Sequence, residues 1–585
     1  MKRLLLFIFC VSCSSLPPQK HKITKPEWMA KSDVLAEEFS RERAELQPEI
    51  GSDIGFAEYN VRGSLIDNQI EDKNRALYVR WLSRIQNART DAKDLELMTD
   101  LDVLANWLQN QVMSIDLSRE ARQLIFNQAV NSVYGGLRPL VGEQVDNKTR
   151  AASVDRFRVY VRGDDKHLPL LPAMQELWRD SVRKYKDQKM YAPYVGEVEQ
   201  YLKDHRALVA GVEELLQKSG RNDWADDYAV FKKQADAYEK FVREEVLPLA
   251  SKDARMPSNI YAYVLKARGI DATPNELIKS GLEGYKNLYP HYRELAKTLA
   301  KKYGLKKSDP VSVITYFKAS PITQLKDVEA LYRDADSRLQ KIMTDQNLIT
   351  VPTTPARIRF ASEAESLVMP VPHLNQPPLL GNKGERPEFV VPTSSKGLPF
   401  DDFSSKYSAI GLTAHEGRPG HDMQFSQMLD RGVSVIRGRY AANNVNIEGW
   451  ALYAEDLVYP YVLPEEQLFL LQMRLWRIAR MFLDPQLQLG LIKDQRVIEV
   501  FTKELGVSKV MAGLELRRYK FEDIGQAPSY YYGYLLVKEM RLSAEKRLGS
   551  AFNVKCFNDR LLSYGLLPLK VSAERMKSGD LCALP

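Results

Sequence analysis

A chain of 585 residues, 44% hydrophobic and 27% charged, has the composition of a globular protein and the length of several domains or of one large enzyme with two lobes around a cleft. Its net charge of +7 is small against 83 basic and 76 acidic residues, and no basic block carries interleaved aromatics, so nucleic acid is not an expected partner. After the N-terminus no stretch approaches the roughly 20 apolar residues that cross a bilayer, which leaves a lipid anchor as the one expected membrane contact.

Residues 1–12 read as a secretory signal, with Lys2 and Arg3 as the basic start and Leu4 to Phe9 as the apolar core. Val11-Ser12-Cys13 resembles a bacterial lipoprotein signal, in which Cys13 becomes the lipid-bearing first residue. Cys10 stands where Leu is usual, and an ordinary cleaved signal is the alternative. Ser14 favours, by lipoprotein sorting habits, the outer membrane, so the expected location is its periplasmic face or the cell surface. After processing, Cys556 and Cys582 remain as candidates for pairing, and an exported chain favours a disulfide between them over two free thiols. Residues 13–31, with Pro17-Pro18 and no periodicity, suit a tether.

From Ser32 the pattern is helical for over three hundred residues. Leu77, Tyr78, Trp81, Leu82 and Ile85 mark one amphipathic helix, and Leu97, Leu101, Leu104, Trp107 and Leu108 a second. Tyr228 to Pro248 and Pro274 to Tyr303 continue it, with Pro274-Asn275-Glu276 as a helix start. His21, His167, His205 and His291 stand alone and read as surface or locally bonded residues. From about Thr350, short β-prone runs at Ile358 to Phe360, Leu367 to Val371 and Phe389 to Val391 predict a small sheet, structural or offering an edge to an extended peptide. His373 lies in this segment and is a lesser candidate for the site.

The densest chemistry lies at Ala414-His415-Glu416-Gly417-Arg418-Pro419-Gly420-His421 and at Asn446 to Glu455. Hydrolytic zinc sites use three ligands drawn from His and Glu, leave a position for water, and set a free carboxylate beside it. His415, His421 and Glu448 supply such ligands, and Glu416 the base. The histidines are six apart, not the four that share a helix face, so both reach one ion only if the helix breaks between them. Pro419-Gly420 is such a break. Ile447, Trp450, Ala451, Ala454 and Val458 form an apolar stripe, with Glu448, Leu452 and Glu455 on a neighbouring face. Glu455 is better placed to orient a ligand histidine than to bind metal.

Beyond the site, Glu466 to Leu483 reads as a helix stopped by Asp484-Pro485, and helices follow at Asp494 to Leu505 and Ser508 to Glu522, with Asp494 and Ser508 as N-caps. That arrangement allows Arg518, Tyr519, Gln526 and Tyr530 to face the metal.

These residues carry a resemblance. The chain resembles the bacterial family called domain of unknown function 885, whose members carry His-Glu-x-x-Pro-Gly-His and then Glu-Gly-Trp-x-x-Tyr-x-Glu. His415, Glu416, Pro419, Gly420, His421, Glu448, Gly449, Trp450, Tyr453 and Glu455 fit. Glu515 to Tyr519, Gly525 to Tyr530, Gly533, Pro377 to Gly381 and Val390 to Pro392 extend the likeness over about residues 190 to 550. Two departures stand out: Gln488 occupies the place of a family histidine, and Ile524 that of a family proline. The resemblance implies a gluzincin-like zinc metallopeptidase with one zinc ion and favours Tyr530 and Arg518 as catalytic donors.

The expected fold is therefore mainly α, two-lobed around a cleft, with a small sheet beside the metal site. Residues 32–349 form a helical N-terminal lobe, and 350–585 carry the sheet, the metal helices and the C-terminal helices. The expected reaction is peptide hydrolysis by a metal-activated water. Hydrolysis of other amide or ester bonds in cell-envelope material, and a binding protein that keeps the metal without catalysis, are the alternatives.

Overall fold

The computed structural model describes residues 25–319, 324–369, 371–392, 402–403 and 405–583. The signal and lipid-attachment readings, Met1 to Ser14, lie outside these residues. Helices dominate. The first, α1 (Glu27–Leu46), begins inside the expected tether, directly after Pro26, which cannot continue a helix backwards; Glu27 gives it an acidic first turn. Its buried Ser32 donates to the buried Asp100 at 2.6 Å, tying α1 to a helix 68 residues on. The two amphipathic stripes form α2 (Ile70–Asp91) and α3 (Leu95–Glu120), joined at Asp94, whose carboxylate caps α3 through the amides of Glu96 and Leu97. Leu77, Tyr78, Trp81, Ile85, Leu101, Leu104 and Leu108 are buried in one core.

The chain from Leu124 to Val246 builds a second core, joined by Ala364. Within it α4 (Ala225–Phe241) ends in a π turn before Pro248. The next helix, α5 (Pro274–Lys302), starts as the sequence predicts: Pro274 is its first residue, and Thr273 and Glu276 close a capping box. Together with α6 (Leu325–Asp345) it rejoins the first core, which also holds the segment of His415 and Glu448. A division at residues 349 and 350 therefore does not follow the packing. Residues 36–108 and 261–349 pack with the later chain, and the separate core belongs to residues 124–246.

The sheet has three short strands in the order β1 (Arg357–Phe360), β3 (Glu388–Val391), β2 (His373–Asn375), with β3 parallel to β1 and antiparallel to β2. Phe389 pairs with Ile358 and Leu374 and meets Tyr332 of α6 edge-on at 5.4 Å. Of the expected strand at Leu367 to Val371, Leu367 and Val368 are instead the end of a short helix, α7 (Glu363–Val368), and Met369 is its C-cap. Ser362 caps it by accepting from the Glu365 amide, and Glu365 is held by Arg138 and Arg359, so capping and ion pairing override β propensity.

The helices that carry the candidate ligands are α8 (Ala409–Glu416), α9 (His421–Arg431) and α10 (Asn444–Val458). Behind them α11 runs from Pro464 to Gln488, straight through the expected stop at Pro485. An interior proline costs a helix about 3 kcal/mol, and each of the buried Phe482, Leu483 and Leu487 repays about 1.5–3 kcal/mol on burial. Two C-terminal helices, α12 (Lys509–Arg517) and α13 (Ser529–Leu548), close the site. Ser508 caps α12 as expected, accepting from Met511 N. Asp494 does not cap: it is the first residue of its helix, and its carboxylate pairs with Lys520 at 2.7 Å. The Cys556–Cys582 disulfide is present, with a Cα–Cα distance of 4.7 Å.

Candidate metal centre

The break that the six-residue spacing demands is a turn pinned from both sides. The Gly417 amide closes α8 on Thr413 O, and a Cβ on Gly420 would sit 1.9 Å from His415 O, so only glycine lets the chain fold back this tightly. Buried Arg418 reaches down to Asp422 and to the carbonyls of Pro352 and Thr354. On the opposite side the Trp450 indole donates to Pro419 O at 3.1 Å and Gly420 O at 3.2 Å. The outcome is a pair of imidazoles from two helices with ring centres 4.9 Å apart, nearly perpendicular.

Glu448 is brought to them by α10. Asn443 caps this helix by accepting from Asn446 N. Gly449 lies against α13 so closely that a Cβ would fall 2.5 Å from the Gly533 carbonyl carbon. That backbone contact sets Glu448 beside Gln526, whose amide nitrogen donates to Glu448 Oε1 at 3.2 Å. The other oxygen, Oε2, stands 3.3 Å from His415 Nε2 and 3.6 Å from His421 Nε2.

The donor set fits a divalent cation. Two ligands about 2.0–2.1 Å from a tetrahedral ion are about 3.3 Å apart. The three candidate ligand atoms of His415, His421 and Glu448 all lie within 4.8 Å of one another, the only such group among the described residues. Glu448 Oε2 is buried with no hydrogen-bond donor, a costly state for a carboxylate oxygen that a cation would relieve. Burial alone raises a carboxyl pKa, yet hydrogen bonding and charge from the two imidazoles, when these are protonated, outweigh it and hold Glu448 well below the usual carboxylate range. His415 Nδ1 meets Glu455 Oε1 at 2.8 Å, which places the ring proton on Nδ1 and leaves Nε2 as the lone pair facing Glu448. Glu455, fully buried, stays ionised against its burial mainly through Arg477.

Glu416 stands outside the triad, with Oε1 4.0 Å from His415 Nε2. Burial, with the Glu448 charge added, pushes its carboxyl up to about 8 against the pull of His421; a cation nearby would draw it down again. It lines a cavity of about 70 Å³ together with His415, Tyr530 and Arg518. Tyr530 stacks on His415, ring centres 6.0 Å apart, and Arg480 lies 4.5 Å over the Tyr530 ring. The Arg518 guanidinium contacts Gln526 Oε1 at 3.5 Å.

Three residues singled out in the sequence take up contacts away from the triad. Tyr519 does not face the triad: it is buried, and its hydroxyl donates to Glu515, the bidentate partner of Arg480. Neighbouring residues of a helix point about 100° apart, so Arg518 and Tyr519 do not share a face. Gln488, in the place of a family histidine, spends its amide on Met256 N and Tyr519 O, a bracing role between chain segments. His373 lies outside the triad on β2, with Nδ1 at 3.0 Å from Val371 O. Of the lone histidines, His167 bonds Asp164 and His205 bonds Tyr201. The sequence reading missed Arg477 and Arg480, which line the cavity from α11. Their signal was present: arginines at 474, 477 and 480 repeat every three residues on an otherwise apolar helix.

No curated protein matches the chain. Two solved structures share its architecture. One, described as "the putative lipoprotein from Colwellia psychrerythraea", is 17% identical with a TM-score of 0.77 and covers 94% of this chain and 98% of its own. The other, described as "a putative lipoprotein of unknown function from Shewanella oneidensis", is 17% identical with a TM-score of 0.70, over 93% and 99%. At that identity the likeness is one of fold. The pattern of one bacterial family runs from residue 48 to 576, wider than the span its motifs mark, and the chain belongs to that family, described as bacterial protein of unknown function (DUF885).

Proposed function

We propose that the protein is a zinc-dependent hydrolase acting on peptides, with His415, His421 and Glu448 as ligands and Glu416 as general base. The observation that carries this reading is Glu416, a carboxylate on the ligand helix that borders the cavity yet is not one of the three clustered ligands. A structural zinc site is closed by four protein ligands, often with Cys, and gives such a carboxylate no task. Both late cysteines are consumed by their disulfide. Two imidazoles and one carboxylate suit zinc among the common divalent ions, as in gluzincin-like peptidases.

When bound, the ion supplies Lewis-acid activation of water and of the scissile carbonyl. Glu416 takes the proton from the attacking water as its oxygen adds to the carbonyl carbon, then hands it to the amide nitrogen as the C–N bond breaks. Glu455 keeps His415 in the tautomer and orientation that leave Nε2 free. Tyr530 is the donor assigned to the oxygen that gains charge, a contribution of roughly 3 kcal/mol in comparable sites. The N-terminal signal is assigned to a lipoprotein anchored through Cys13 on the periplasmic face of the outer membrane or the cell surface, and the description of both structural relatives as lipoproteins supports this.

A hydrolysis screen over peptides, muropeptides and esters, with chelator and with zinc restored, tests the reading. Chelator-sensitive peptide cleavage is expected. Cleavage confined to muropeptides or esters would move the reaction to another bond class, and a purified protein with neither zinc nor metal-dependent turnover would overturn it.

A further inference from the structure

Three arginines border the cavity, and their partners separate them. Arg480 is held by both oxygens of Glu515, at 2.8 and 2.6 Å. Arg477 pairs with Glu455 at 3.4 Å. Arg518 has no carboxylate within ion-pair distance among the described residues; its recorded contact is the neutral Gln526 amide at 3.5 Å. It is also half-buried, and so remains reachable. Glu515 and Asp523 act on it only from beyond contact distance, so its hydrogen-bonding edge has no anion against it, and its planar fork matches a carboxylate.

Position narrows which carboxylate. Arg518 touches Gln526 Oε1, and the nitrogen of the same amide touches Glu448 Oε1 at 3.2 Å. Two such contacts joined through one amide keep Arg518 within roughly 9 Å of the ligand carboxylate, and a peptide advances about 3.3–3.8 Å per residue. Only one or two residues fit between the reacting carbonyl and the guanidinium. The walls there are apolar, from Phe469, Met473, Trp476 and Met511.

We infer that Arg518 receives the free C-terminal carboxylate of a short peptide whose last side chain is apolar, so that hydrolysis falls within two residues of that end. This rests on the peptidase reading above and changes the role of Arg518 from oxyanion donor to substrate anchor. The reaction adds water across the C–N bond: hydroxyl to the carbonyl carbon, proton to the leaving amine, with no other reactant.

The test pairs binding with turnover. N-acetylated peptides ending in Phe as the free acid or as the carboxamide are titrated into zinc-loaded Glu416→Gln protein by calorimetry, and their cleavage by wild type is followed by product mass. The free acid is expected to bind at least about 30-fold more tightly than the amide, the size of effect seen when one partner of a buried charge pair is lost. Arg518→Met should erase that preference with zinc content and melting temperature unchanged, and Arg518→Lys should restore part of it. Equal binding and equal cleavage of acid and amide would overturn the inference and leave the peptidase reading standing. So would an Arg518→Met variant that weakens both equally. A binding preference for the acid without hydrolysis of any peptide would overturn the peptidase reading and the placing of the cleaved bond, and leave Arg518 as a carboxylate anchor alone.

Discussion

Glu416 and His421 sit five residues apart and are assigned different work, which substitution separates. Glu416→Gln keeps the shape of the side chain and cannot accept a proton, so the purified variant should retain near-stoichiometric zinc and lose turnover about 10²–10⁴-fold. His421→Ala should lose the metal, because three ligands leave little redundancy; His373→Ala, on a strand outside the triad, should keep it. Metal analysis of the three proteins decides, and zinc retained by His421→Ala but lost by His373→Ala would refute the ligand set. Asp484 gives a second prediction. It is buried, accepts from Tyr261 and from Gly525 N, and burial lifts its carboxyl to about 7. The folded state therefore prefers the protonated form: that contribution is complete below about pH 4 and lost as pH rises to about 7, an effect of up to about 4 kcal/mol. Asp484→Asn should gain stability relative to wild type across that window, whatever constant offset the altered hydrogen bonds add. Parallel melting curves of the two proteins from pH 4 to 7 would contradict it.

Helices α10 and α13 meet backbone to backbone at Gly449 and Gly533, and this contact holds Glu448 beside Gln526 and Tyr530. A methyl group at Gly449 has only backbone to push against, so Gly449→Ala should cost about 1–3 kcal/mol or more and weaken metal retention as well. An alanine variant with wild-type melting and zinc affinity would show that the helix spacing does not set the site. The π turn Arg518–Glu522 at the end of α12 and the uninterrupted run of α11 through Pro485 are of the same kind. Neither follows from local preference, and both serve contacts with distant chain.

The fold as a unit ties distant parts of the chain: Ser32 of the first described helix and Arg437 both reach Asp100, and the disulfide fastens residues 556 and 582. Cross-linking a loop of that length is worth roughly 3 kcal/mol in the chain-entropy view. The Cys556→Ser, Cys582→Ser double variant should unfold at correspondingly lower denaturant, and an unchanged midpoint would show the link to be idle. At the other end, Cys13→Ala should block fatty-acid labelling and release the protein from membranes. Absence of label on the wild type would refute the lipid anchor.

The metal motif was legible in the sequence because its chemistry is local. His415, Glu416 and His421 lie within two turns, the Pro419-Gly420 break between them is a statement about backbone freedom, and Glu448 with Glu455 follows helical periodicity. Amphipathic stripes and the capping box of α5 were legible for the same reason, and the recurrence of such stripes marked a largely helical chain. The direction of Tyr519, the anchoring of Gln488, the arginines on α11 and the separate core at residues 124–246 were not. Each depends on which helix lies against which, and that is set by small-residue contacts and buried ion pairs between segments tens to hundreds of residues apart, whose energy exceeds the local preferences a sequence displays.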